Sequence, residues 1–174
     1  MQVRGATIED AGGLARVQVD SYRSAYVGVW PRAVLDSLSF EEQEQDWRNW
    51  IRSNPDDLLY VAELSAGEAV GYALARSGPT GILGYDSELI ALHVLDPYQR
   101  QGLGRRLVAA IAKELQMRGS ESLMLWVLKE NRARGFYERL GGQLLADQKI
   151  SWAGRLEVAY GWPKIEVLCG QRWS

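Results

Sequence analysis

An apolar stretch from Glu88 to Leu95 passes through Pro97 to Gly102 and Gly104 and on into an amphipathic repeat, and no other segment constrains the fold as strongly. The stretch reads as a central strand covered on both faces, and Pro97 stops it. Beyond the glycines, Leu103, Leu107, Val108, Ile111 and Leu115 recur at helical spacing with Arg105, Arg106, Lys113 and Glu114 between them, which predicts a helix packed on the sheet. The junction has the character of an anion site. Glycines let the backbone approach closely, the first helical N–H groups are unpaired, and the helix dipole presents its positive end. Arg100, Arg105 and Arg106 add charge suited to phosphate oxygens, so the junction suits a pyrophosphate.

The flanking segments place this unit in a layered fold. Residues 2 to 6 read as a strand; Thr7 then caps a helix with Glu9 and Asp10 in its first turn, running to about Tyr22 with Leu14 and Val17 on its apolar stripe. A second helical stretch over roughly 31 to 52 begins at Pro31 and carries Leu35, Leu38, Trp47, Trp50 and Ile51. Leu58 to Leu64 and Ala69 to Ala75, separated by Ser65-Ala66-Gly67-Glu68, have the form of an antiparallel hairpin. After the glycine helix come a strand from Ser122 to Leu128 and a short helix from Asn131 to Leu140 stopped by Gly141-Gly142. Strands over about 143 to 150 and 155 to 162 follow. The order is strand, two helices, three strands, helix, strand, helix, two strands, an α/β (α+β) layer structure with seven strands and four helices.

Length and composition narrow the function. With 174 residues, 47% of them hydrophobic, the chain is expected to form a single domain over 1–174. A net charge of -2 offers no general attraction for a polyanion, which argues against nucleic acid as a partner. Cys169 is the sole cysteine, so neither a disulfide framework nor a cysteine-rich metal site is available, no metal is expected, and a reducing, cytoplasmic setting fits. No run approaches the roughly 20 apolar residues of a membrane span, and no membrane partner is expected. Seven Trp and eight Tyr suit a cleft with apolar walls and polar tips.

Among phosphate-binding loops, a P-loop needs Gly-Lys-Ser/Thr, whereas Arg105-Arg106-Leu107 follows Gly104; a dinucleotide fingerprint needs Gly or Ala where Leu107 stands. The sixteen-residue string from Leu92 to Leu107 instead resembles the GNAT superfamily of acyl-CoA-dependent N-acetyltransferases, whose pattern Gln/Arg-x-x-Gly-x-Gly/Ala is met by Gln99, Gly102 and Gly104. The similarity extends to Leu125-Trp126-Val127-Leu128, to the block from Asn131 to Gly142, to Tyr22-Arg23-Ser24-Ala25-Tyr26 with Pro31, and to Glu157-Val158-Ala159-Tyr160-Gly161-Trp162. It implies a GNAT-like mixed, mostly antiparallel sheet and acetyl-CoA as cosubstrate.

The resemblance also implies roles. The pyrophosphate cradle would be Gln99, Arg100, Gln101, Gly102, Leu103, Gly104 and Arg105, and the pantetheine arm would pair with the backbone of Leu92, His93 and Val94, beside Phe136. Asn131 would contact that arm, with Glu130 competing for the same position, and Tyr137 would sit near the sulfur as the acid. Glu88, eleven positions before Gln99, matches the general base of some members, and burial among Leu89, Ile90 and Leu92 would raise its pKa. Strict alternation puts His93 on the face opposite Glu88, where a packed core histidine is expected. Tyr22, Tyr26 and Trp30 would line the site for an amine acceptor, a small molecule or a peptide or protein amine. The late strands and exposed aromatics could also pair two subunits into a homodimer, as in many relatives. A non-catalytic acyl-CoA sensor would keep the loop but need neither Glu88 nor Tyr137.

Overall fold

In a computed structural model of the chain, which describes residues 1–65, 67–149 and 155–169, the apolar runs pair into one seven-stranded sheet. Ala66 of the expected hairpin turn, and Ile150 at the end of the strand expected over 143–150, lie outside the described residues. The strands are β1 (Gln2–Gly5), β2 (Leu58–Glu63), β3 (Ala69–Ser77), β4 (Ser87–Val94), β5 (Leu123–Leu128), β6 (Gln143–Lys149) and β7 (Leu156–Trp162). Their spatial order is β1-β2-β3-β4-β5-β7-β6, and every neighbouring pair is antiparallel except β4 and β5.

The helices are α1 (Ala11–Ala25), α2 (Arg32–Asp36), α3 (Phe40–Ser53), α4 (Leu103–Met117), α5 (Arg134–Arg139) and α6 (Glu166–Cys169), six among the described residues where the sequence reading expects four. Part of the difference is a break inside the stretch expected to be continuous over 31 to 52. Ser39 accepts a hydrogen bond from the Glu42 amide at 3.3 Å, and this cap starts α3 afresh after α2. A serine side chain that satisfies backbone donors competes with helix continuation, which hydrophobic periodicity does not register. The remaining addition is α6, after the last strand.

The sheet has two differently covered faces. On one, Leu103, Leu107, Ile111 and Leu115 of α4 pack against Leu89, Leu125, Tyr160 and Trp162. Each such large apolar side chain contributes about 1.5–3 kcal/mol by leaving water. On the other, Leu14 and Val17 of α1 and Trp47 of α3 cover Val61, Tyr72 and Leu74, while Tyr85 with Ile82 and Leu145 covers Met124 and Ala159 farther along. Gly161 makes room there: a Cβ would lie 2.5 Å from the Tyr85 ring. Between these two patches the face is left to the end of α1 and the segment leading to α2. No described helix is long and apolar enough to cross a membrane.

Candidate active site

The site begins with an irregularity in β4. Ala75 pairs with Leu89 and Leu74 with Ala91, so Ile90 is an extra residue on β4, a β-bulge. Its effect on side-chain direction is direct. Ile90 and Ala91 both pack with the α1–α3 cluster, Leu92 and Val94 return to the α4 side, and the His93 ring lies 5.2 Å from Tyr22 and 5.2 Å from Tyr72, on the α1 side. Glu88 shares that side, because Leu89 next to it faces α4 and its cross-strand partner Arg76 reaches over Trp50. The expectation that Glu88 and His93 lie on opposite faces is therefore corrected: the extra residue resets the alternation between them.

The bulge also bends β4 away from β5. These strands pair at Glu88 and Met124 and then diverge, leaving a gap beside Leu92, His93 and Val94 whose backbone groups on that edge lack a strand partner. The gap opens onto the glycine junction. Arg100 has φ 57° and Gly102 φ 80°, left-handed positions separated by one residue that bend the chain sharply into the start of α4. The first ladder bond of α4 runs from the Arg106 amide to the Gly102 carbonyl, so the amides of Leu103, Gly104 and Arg105 precede it at the positive end of the helix.

Side chains around this loop hold its shape. Gln99 Nε2 donates to the Val94 carbonyl and to Asp96 Oδ1, each at 2.9 Å, and Gln101 Nε2 donates to the Pro97 carbonyl at 2.9 Å. Asp96 also accepts the Ser24 hydroxyl, tying the end of α1 to the loop. Arg106, one of three arginines read as phosphate-facing charge, instead donates to the Met1 carbonyl at 3.2 Å through both terminal nitrogens. Leu103 is buried in the core, so only its backbone faces the junction. A Cβ on Gly104 would lie 3.3 Å from Phe136 and 3.9 Å from Leu92, which places these residues in one wall at the mouth of the gap.

Beyond β5, Asn131 Oδ1 accepts the Ala133 amide at 2.8 Å and so shapes the entry into α5, leaving Nδ2 as its outward donor. Glu130 approaches Arg155 at 3.9 Å. Tyr137, on α5, is 8% exposed, and its hydroxyl makes no hydrogen bond among the described residues. Burial, and secondarily Tyr26, push the phenol above its ordinary value, so it stays protonated and neutral near pH 7.

On the opposite side of the gap, Tyr26 and Trp30 stack at 4.4 Å with an interplanar angle of 7°, and Tyr22 stands edge-on to both at 5.2 and 5.3 Å. Burial, then Tyr22 and Glu157, push the Tyr26 phenol up to about 12. Burial pushes the His93 imidazole down to about 4, which leaves it neutral near pH 7. Burial raises the Glu88 carboxyl, and Arg76 pulls it partly back while gripping Asp57 through two bonds of 2.9 Å. Glu157 is the residue that sequence reasoning did not single out. Its carboxyl is raised by burial and then by Glu88. The available signal was a charge alternating with Ala159 and Gly161 on one face of a predicted strand.

Three comparisons bear on this arrangement. Residues 80–153 match the family described as FR47-like protein. Over 168 residues, 95% of this chain and 95% of the relative, the chain is 36% identical to the uncharacterized N-acetyltransferase YuaI of Bacillus subtilis. It is 22% identical to a spermidine N(1)-acetyltransferase of Thermoplasma acidophilum, over 81% of this chain and 87% of that one. The crystal structure of the PaiA N-acetyltransferase of Thermoplasma acidophilum in complex with coenzyme A superposes with a TM-score of 0.72 at 20% identity, covering 92% of this chain and 98% of that one. A split sheet beside a glycine-opened helix, with a full-length relative at this identity, leads to one assignment: the chain belongs to the GNAT superfamily of N-acetyltransferases.

Proposed function

We propose that the chain transfers the acetyl group of acetyl-CoA to a primary amine by direct attack in a ternary complex. One observation carries this reading: the gap between β4 and β5 opens onto the loop that begins α4, where Arg100 and Gly102 hold left-handed backbone at the positive end of the helix. The residues fit an extended ligand with an anionic end and an amide-bearing arm. The amides from Gln101 to Arg105 would take the pyrophosphate, assisted by Arg100, with Gln99 bracing the loop behind them. The β4 edge from Leu92 to Val94 would pair with the arm, Asn131 Nδ2 would donate to it, and Phe136 would line its path.

Bound acetyl-CoA supplies a thioester carbonyl open to nucleophilic attack. Around it the chain contributes proton handling. The amine nitrogen forms its bond to the acyl carbon as the carbon–sulfur bond breaks; Glu88 takes the amine proton, directly or through water, and Tyr137 returns a proton to the departing sulfur. Burial raises the Glu88 carboxyl, which makes it a stronger base than an exposed carboxylate, and burial keeps the Tyr137 phenol in its protonated form, the form that carries a proton to give. Tyr22, Tyr26 and Trp30 would hold the acceptor, and an amine acceptor accords with the name of the spermidine-acetylating relative. The test is thiol release from acetyl-CoA over a panel of amines, with Gly104→Glu as the control. That change sets a carboxylate against the incoming phosphates and presses on Phe136. Wild type should release thiol and the control should neither bind nor turn over; equal binding of acetyl-CoA by both would refute the assignment of the loop.

A further inference from the structure

The acceptor side of the gap holds a second carboxylate that the transfer reaction does not require. Val158 and Tyr160 of β7 pack on the α4 side, whereas Ala159 joins the Tyr85 cluster, so Glu157 faces the same side as Ala159. That is also the side of Glu88 and His93. Glu157 pairs with Leu128, the last residue of β5, while Glu88 is level with Met124 where the gap closes. The two side chains thus leave the backbone at the open and closed ends of one cleft, about 13 Å apart along the strand direction at 3.3 Å per residue, and they lie close enough for Glu88 to raise the Glu157 carboxyl.

The surroundings favour positive charge. Arg155 Nη2 donates to the Val29 carbonyl at 2.7 Å, anchoring to β7 the segment that carries the stacked Tyr26 and Trp30 rings. Stacked electron-rich rings beside a carboxylate attract cations. Glu88 has Arg76 across from it, but no ion pair engages Glu157 among the described residues. The Tyr137 hydroxyl, in a side chain more than nine-tenths buried, is likewise unpartnered and lies in the electrostatic range of Tyr26. A half-buried carboxylate without a protein cation leaves its charge for a ligand to answer.

We propose that Glu157 determines acceptor specificity by holding a second ammonium group, so that the preferred acceptor is a diamine or polyamine. One amine gives its proton to the Glu88 side and attacks; the other stays protonated against Glu157 and the Tyr26–Trp30 stack. The proposal rests on the acetyl-transfer reading above. It is tested by comparing 1,4-diaminobutane with the monoamine 1-aminobutane, of equal carbon count, in wild type, Glu157→Gln and Glu157→Asp.

Wild type should favour the diamine in kcat/KM by roughly tenfold or more, the value of one charge-assisted contact. Glu157→Gln should erase most of that ratio, chiefly by raising KM for the diamine, and Glu157→Asp should restore part of it. A ratio unchanged by Glu157→Gln, or an equal fall for both amines, would overturn the proposal while acetyl transfer itself stood. Thiol release with no amine at all would instead bring down the transfer reading, and this proposal with it.

Discussion

The two sides of the gap are built in different ways. The proposed donor side is nearly contiguous: Gln99 to Arg105 form the loop, the first turn of α4 and its bracing in seven consecutive residues, with Phe136 the main outside contact. The proposed acceptor side is assembled from four separate places, Tyr22, Tyr26 and Trp30 at the end of α1, Arg76 on β3, Glu88 and His93 on β4, and Glu157 on β7, and it depends on a bulge at Ile90 to bring two of them to one face. A site written in one stretch carries its geometry in local conformation. A site gathered across a sheet carries it in strand register, where a single inserted residue changes which side chains meet.

Variants can break this comparison at chosen points. Tyr137→Phe, at the junction of the two sides, has the largest expected effect: kcat falls about 10²–10⁴-fold, the range for loss of a general acid, with acetyl-CoA affinity retained by isothermal titration. Glu88→Gln acts on the acceptor side alone, lowering kcat/KM by about 100-fold while acetyl-CoA still binds. Gln99→Ala acts on the donor side alone; losing the brace to Val94 and Asp96 should raise KM for acetyl-CoA by roughly tenfold and leave KM for the amine in place.

The smallest effect sharpens the electrostatics. A base works deprotonated, so a carboxyl held above its ordinary 4.5 puts the acid limb of the pH–rate profile above that value. Arg76 lowers the Glu88 carboxyl, so Arg76→Gln should move this limb to higher pH, read from kcat/KM between pH 4 and 8. A limb that moved to lower pH, or stayed fixed, would separate Glu88 from the rate-controlling proton transfer.

Legibility in the sequence follows the same division. The seven strands and the helix opening at Leu103 were readable because period-two and period-3.6 patterns are local, and proline and glycine punctuate them. The split between α2 and α3 was hidden because it turns on the hydroxyl of Ser39 rather than on any apolar spacing. The bulge was hidden because Ile90 is as apolar as its neighbours, and only pairing with β3 shows that it is the extra residue. Glu157 was overlooked for a related reason: its closeness to Glu88 and Tyr26 arises from β7 lying beside β5 and from Arg155 drawing the Val29 segment onto the strand. Side-chain use within a motif was equally invisible, since Arg106 and Arg100 look alike in the string although Arg106 turns to Met1.

In the proposed complex the coenzyme lies along the β4 edge with its pyrophosphate on the opening of α4. Backbone amide shifts recorded during a titration with coenzyme A test it most directly. The largest changes should fall on Gln101 to Arg105 and on Leu92 to Val94, with smaller ones at Asn131 and Phe136. Saturable binding that left those amides unmoved and shifted others, such as those of α3 or the β2–β3 hairpin, would contradict it.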